Sequence, residues 1–182
     1  LAYNPSNEGG TAIADVLFGD YNPNGKLPFS YPRTPNGLIT YDHKLFETEN
    51  TSYGNTAFSP QFEFGSGLSY TTFSYSNLQV TPASTTLNGE VKVSVSVTNK
   101  GQRVGKETVI VYVRDVVASL SPPGKRVRRF AKISLDPGQS RTLTFTLRPE
   151  DLSFIGLNNK PVVEAGDFEV MVGGLTGKFT LQ

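Results

Sequence analysis

The eight residues VKVSVSVT, Val91–Thr98, decide the fold of this 182-residue chain. Val91, Val93, Val95 and Val97 alternate strictly with Lys92, Ser94, Ser96 and Thr98. Period two over that length makes a strand with one face turned to a core and the other to water. The alternation returns in SRTLTFTL (140–147) through Leu143, Phe145 and Leu147, and in FEVMVGG (168–174) through Phe168, Val170 and Val172. Working outward from these runs gives seven strands, at about 74–80, 91–98, 107–115, 126–135, 140–147, 166–173 and 177–182. The turn signals NGE, NKG, DPGQ, EAGD and TG separate most of them. Val93, Val95, Val111, Leu143, Phe145 and Val170 are the expected core.

Seven short strands over residues 73–182 make the chain mainly β and describe a fibronectin type III-like or immunoglobulin-like sandwich. One strand departs from the pattern. TVIVYVRDV (108–116) is apolar on both faces, with Ile110 and Tyr112 on the side that should be wet. That strand needs a further partner, and residues 1–32 offer one. There Asn7 or Ser6 caps an expected helix from Glu8 to Phe18, with Glu8 in its first turn and Gly19 as its C-terminal stop. Ala12, Ile13, Val16 and Leu17 form its apolar stripe, and a proline turn and an Asn-Gly turn lead to a short extended run, Leu27–Tyr31. A helix this short is marginal in water by itself. Its stripe needs a surface that residues 1–32 do not contain, so this segment reads as the torn edge of something larger. Residues 33–72 lack periodicity and read either as a functional loop or as a linker that wraps a neighbouring domain.

Composition narrows the chemistry. Seventeen basic and sixteen acidic residues leave a net charge of +1, so no bulk field draws nucleic acid or an anionic membrane. No apolar run reaches the ~18–20 residues of a membrane span. With no cysteine and one histidine, Cys/His dyads and a His-rich metal site are excluded, and nothing calls for a cofactor. A Ser-His-Asp triad would have to use His43, which sits in TYDHKLF (40–46) without a Gly-x-Ser-x-Gly elbow. EGG at Glu8–Gly10 lacks both complete phosphate-loop patterns and reads as close backbone packing at a helix entrance.

Sixteen carboxylates remain as candidates for glycosidase-type roles. Asp115, Asp136, Glu150, Asp151, Glu164 and Asp167 lie at strand ends or in turns and read as solvated or capping. The basic run GKRVRRFAK, with Lys125, Arg126, Arg128, Arg129 and Lys132, reads as a charged strand edge that blocks edge-to-edge pairing rather than a polyanion site.

Five stretches together carry a family resemblance: EGGTAIADVLFGDYNPNGKLPFSYP (8–32), FEFGSGLSYTTFSYSNL (62–78), GKETVIVYVRD (105–115), VRRFAKISLDPGQS (127–140) and VVEAGDFEVMVGG (162–174). In order and spacing the chain resembles the C-terminal third of glycoside hydrolase family three, the β-glucosidase and β-xylosidase family. The resemblance implies that residues 8–18 are the last helix of an α/β sandwich domain whose sheet lies upstream. It also implies that Phe64–Tyr70 leads into the fibronectin type III-like domain. Family members are retaining enzymes, and both catalytic carboxylates are implied to lie upstream, so no residue of this chain is assigned a catalytic role. TYDHKLF resembles a loop that approaches the aglycone side of the active site, which implies Tyr41, His43 and Lys44 as substrate-rim residues.

The resemblance further implies the upstream catalytic domains as partners, a β-linked oligosaccharide as the parent's substrate, and a periplasmic or extracellular setting. The apolar stripe adds an expectation of self-association or of a packed N-terminal segment. A reading from another class is a stand-alone carbohydrate-binding or adhesion module. The absence of tryptophan opposes it and eight tyrosines keep it open.

Overall fold

The structure is a computed structural model that describes residues 2–35, 37, 40–44 and 60–182. Its helices are α1 (Gly9–Phe18) and α2 (Pro149–Leu152). Its longer strands are β1 (Phe73–Thr81), β3 (Val91–Asn99), β4 (Gly105–Asp115), β5 (Arg126–Leu135), β6 (Ser140–Leu147), β9 (Gly166–Val172) and β10 (Leu175–Leu181). Between them lie the two-residue strands β2 (Ser84–Thr85), β7 (Phe154–Ile155) and β8 (Pro161–Val162). The strands read from alternation are the seven longer ones, with ends displaced by a residue or two.

The strands form a three-stranded sheet in the order β1-β3-β6 and a five-stranded sheet in the order β2-β10-β9-β4-β5. All neighbours are antiparallel except β2, which runs parallel to β10. The valines of β3 are fully buried between the sheets. Register places Val91 beside Leu147 and Val93 beside Phe145 on β6. The facing sheet supplies Val109, Val111, Phe168, Val170 and Phe179, and the rings of Phe168 and Phe179 stack 5.2 Å apart. Each large aliphatic or aromatic side chain so enclosed contributes about 1.5–3 kcal/mol over its exposed state. Of the expected core only Leu143 differs, being half-buried. It sits in the first half of edge strand β6, which is less covered than the second half.

Two expectations for the N-terminal helix need correction. Helix α1 begins at Gly9 with Glu8 at its N-cap and no side-chain cap, so neither Asn7 nor Ser6 caps it through a side chain and Glu8 is not in its first turn. The carbonyl of Ser6 accepts from the Gly9 amide instead (2.8 Å). At the other end Gly19 adopts φ 87°, the left-handed stop that was read from sequence. Leu27–Tyr31, the short run after the turns, belongs to neither sheet. It pairs loosely with residues 61–66, through a Tyr31–Phe62 bridge and hydrogen bonds between Leu27 and the Gly65–Ser66 backbone.

The partner of the doubly apolar strand is not the helix. Phe64 meets the Tyr112 ring edge-on at 6.4 Å, and Gly65 lies against Ile110 and Tyr112. The returning 62–66 segment occupies the face that α1 was expected to cover. The helix instead stands beside the turn between β3 and β4.

Candidate functional site

Two constructions join the N-terminal segment to the sandwich. The first is a polar junction built by the turn after α1, the end of the Phe64–Tyr70 motif and the β3–β4 turn. Asn22 is its centre: its Nδ2 donates to the Val104 carbonyl (2.9 Å), and its Oδ1 accepts from Ser69 Oγ and the Tyr70 amide (both 2.8 Å). The Tyr70 hydroxyl donates to the Val16 carbonyl of α1 (2.6 Å). Arg103 donates to the Gly19 carbonyl (2.8 Å) and lies over the Tyr70 ring, 5.7 Å from its centre. These bonds occupy carbonyls that the helix end would otherwise leave to water.

Directly behind the junction, Asn99 is fully buried and uses all four side-chain hydrogen-bonding positions. Its Nδ2 donates to Arg103 O (2.8 Å) and Leu135 O (3.0 Å), while Oδ1 accepts from Thr71 Oγ1 (2.5 Å) and the Gly101 amide (3.1 Å). Further along, Glu107 is buried and accepts from the Tyr75 hydroxyl (2.8 Å), with Lys26 Nζ 3.3 Å away. Burial first, and then the Glu107 carboxylate, raise the Tyr75 phenol far above its ordinary range. At Gly67 any side chain would collide with the Gly25 carbonyl, so the motif's second glycine allows the two backbones to touch.

The second construction is a strap, residues 40–44, laid across the start of β5. The Tyr41 hydroxyl accepts from the Val127 amide (2.6 Å), and its ring meets Phe64 edge-on at 5.2 Å. Asp42 accepts twice from Arg126, at 2.9 and 2.5 Å. The His43 carbonyl accepts from the Gly124 amide (2.9 Å), and Lys44 Nζ donates to the Ser121 carbonyl. The structure thus brings Tyr41, His43 and Lys44 together on the 121–127 segment. Beside them lies a dent of about 10 Å³ lined by Ser30, Glu63, Phe64, Tyr112 and Lys125. That is room for about one water, far less than a sugar ring. Tyr112 carries Lys125 over its face at 5.1 Å, and its phenol is pushed up to about 12 by burial first, then by Tyr41 and Glu63.

Three of the six carboxylates named from sequence are held by partners in the sandwich. Asp151 pairs with Arg129, Glu164 accepts from the Ser119 amide and hydroxyl, and Asp167 accepts from Thr180. The basic run lies on β5, the edge strand of its sheet, with Lys125 near Glu63 and Arg126 on Asp42. Among the described residues no group of histidine and carboxylate side chains could hold a metal ion. Sequence reading missed Asn22, Asn99 and Arg103. The only available signals were the NPN and NKG turns, which give no indication of burial.

Comparison with known proteins follows the same division of the chain. The description "Glycosyl hydrolase family 3 C-terminal domain" matches residues 1–70, and "Fibronectin type III-like domain" matches residues 107–176. The chain is 42% identical over 176 residues to a periplasmic β-glucosidase of Salmonella typhimurium, covering 91% of this chain and 23% of that protein. It is 40% identical over 184 residues to a lysosomal β-glucosidase of Dictyostelium discoideum, covering 95% and 22% respectively. A solved β-glucosidase from Erythrobacter marinus superposes with a TM-score of 0.85 at 38% identity, over 96% of this chain and 24% of that one. The chain therefore spans under a quarter of the length of these relatives.

Proposed function

The chain belongs to glycosyl hydrolase family 3, and from that premise we propose that it is the C-terminal structural part of a retaining β-glucosidase-like enzyme. In the whole protein, hydrolysis of terminal β-D-glycosides passes through a glycosyl-enzyme intermediate formed on one carboxylate, with a second as acid and base. Both are supplied by sequence outside these residues. The sandwich, residues 73–182, braces the α/β domain to which residues 1–32 belong; the linker assigned to residues 33–72 lies between them in sequence, with 36, 38, 39 and 45–59 outside the described residues. Tyr41, His43 and Lys44 form part of the substrate rim only when the strap is set against the catalytic domains, because the dent beside them is too small for a sugar.

The observation that carries this reading is the junction, in which Asn22, Tyr70 and Arg103 tie the helix and its following turn to the β3–β4 turn. Engagement of Asp151, Glu164 and Asp167 in an ion pair and hydrogen bonds supports it further.

Two measurements test it. The 182-residue chain incubated with an aryl β-glucoside should give no turnover. Turnover that disappears when one of its own carboxylates is mutated overturns the assignment. In the whole protein, Asn22→Ala with Arg103→Ala should speed thermal inactivation while leaving KM unchanged. A large rise in KM at an unchanged inactivation rate would instead make the junction a substrate-binding element.

A further inference from the structure

Among the described residues, two buried side-chain atoms have no hydrogen-bond partner: Asp115 Oδ1 and Arg128 Nε. Both residues line one pocket of about 30 Å³, at the end of the core where β4 stops. A buried polar group left unpaired costs about 1–3 kcal/mol, and more when charged. Folded chains therefore rarely keep one without a partner, and two in one pocket call for an explanation.

The remaining walls do not supply the partner. Pro122 and Pro123 have no amide hydrogen to give. The Ser153 hydroxyl is committed to the Glu150 carbonyl (2.8 Å), and the Ser153 carbonyl already accepts from Arg128 Nη2 (3.2 Å). Arg126 is turned to Asp42. The two orphans are complementary, because a carboxyl oxygen accepts and a guanidinium Nε–H donates. Neither reaches the other.

We propose that this pocket is a water-binding site, in which one ordered water accepts from Arg128 Nε and donates to Asp115 Oδ1. A single water requires about 10–15 Å³ of such volume and two to four polar partners, and both conditions are met. A sugar or phosphate is too large. One acid facing one base selects neither an anion nor a cation. Partial burial raises the Asp115 carboxyl, against the opposing pull of a hydrogen bond from the Val117 backbone, and lowers the Arg128 guanidinium from its ordinary value. The water links the end of β4 to β5, beneath the 116–125 loop that holds the strap through Ser121 and Gly124.

Crystals of the whole protein, at a resolution that shows ordered solvent, should carry a peak within hydrogen-bonding distance of both atoms. Magnetic relaxation dispersion of water oxygen should show one fewer long-lived internal water in Asp115→Leu than in wild type. Absence of the peak, a peak too heavy for water, direct pairing of Asp115 with Arg128, or unchanged dispersion in a folded Asp115→Leu protein each overturns the proposal. If the leucine variant does not fold, Asp115→Asn retains an acceptor and must retain the water. Its loss there also overturns the site.

Discussion

The sandwich and the N-terminal segment hold themselves in opposite ways. In the sandwich, apolar residues point inward and meet apolar partners of the same chain, as Val93 meets Phe145 across the β3–β6 register. In residues 2–31 the larger apolar side chains point outward, with Leu17 71% and Phe18 83% exposed, and attachment is polar. The difference shows which energies hold each part. Burial, which needs no special geometry, stabilises the sandwich. Hydrogen bonds from a few named side chains fix where the segment sits.

The strongest way to break the comparison is to remove burial. Phe145→Ala should cost ~3–5 kcal/mol, the usual range for a large aromatic truncated in a core. A denaturant titration showing a loss under ~1 kcal/mol would mean that packing is not what holds the sheets together. The next effect separates two asparagines. Asn99→Ala orphans the buried Thr71 hydroxyl and Leu135 carbonyl, each costing about 1–3 kcal/mol if unrelieved, and frees the part-buried Gly101 amide and Arg103 carbonyl, so the global midpoint should fall clearly. Asn22→Ala, in the exposed junction, should cost about 1 kcal/mol or less globally. It should instead raise hydrogen exchange in residues 9–22. Equal global losses would erase the distinction.

Alkaline pH sharpens it further. Tyr75, donating to Glu107, and Tyr112, beneath Lys125, both have folded values raised above the unfolded 10.0. A group that binds its proton more tightly when folded contributes stability that is complete below its unfolded value and is lost as pH rises through the folded one. Stability should therefore decline above pH ~10, with Tyr112 giving way near 12. Tyr112→Phe should flatten that decline. A slope identical to that of the wild type would show that its phenol ionises freely in the fold.

What could be read beforehand follows from the same contrast. Val91–Thr98 was legible because one residue's neighbours on both sheets impose a repeating demand, and repetition leaves a period in the sequence. The strap and the junction leave none. Tyr41 accepts one bond from Val127, 86 positions away, and Asn22 accepts one from Tyr70, 48 positions away. Single long-range hydrogen bonds have no local signature. The misassigned cover of Ile110 and Tyr112 has the same origin. The strand's two apolar faces announced a partner, but an aperiodic Phe64–Gly65 pair filled the place that a visible amphipathic helix was expected to take. The resemblance placed Tyr41, His43 and Lys44 in one loop, but it could not show that their atoms bond to the 121–127 segment.

The smallest effect on the sandwich should come from the most drastic change in polarity. Ile13 and Leu17 are exposed on α1, and the bonds that locate the helix use the carbonyls of Val16 and Gly19, which a side-chain substitution leaves in place. Ile13→Asp with Leu17→Asp therefore removes no buried contact of the sandwich, and its melting transition should move by no more than the ~0.5 kcal/mol typical of surface changes. Exposed apolar patches beyond a few hundred Å² favour association, so light scattering should show wild type more associated than the double variant at equal concentration. Hydrogen exchange should report whether residues 9–18 loosen in the variant while β3 and β4 keep their protection. If wild type is monomeric, with the helix equally protected in both proteins, the outward stripe is not a docking face and polar attachment alone accounts for the segment. If the sandwich melts markedly lower in the variant, the two regions are one cooperative unit and the contrast between them fails.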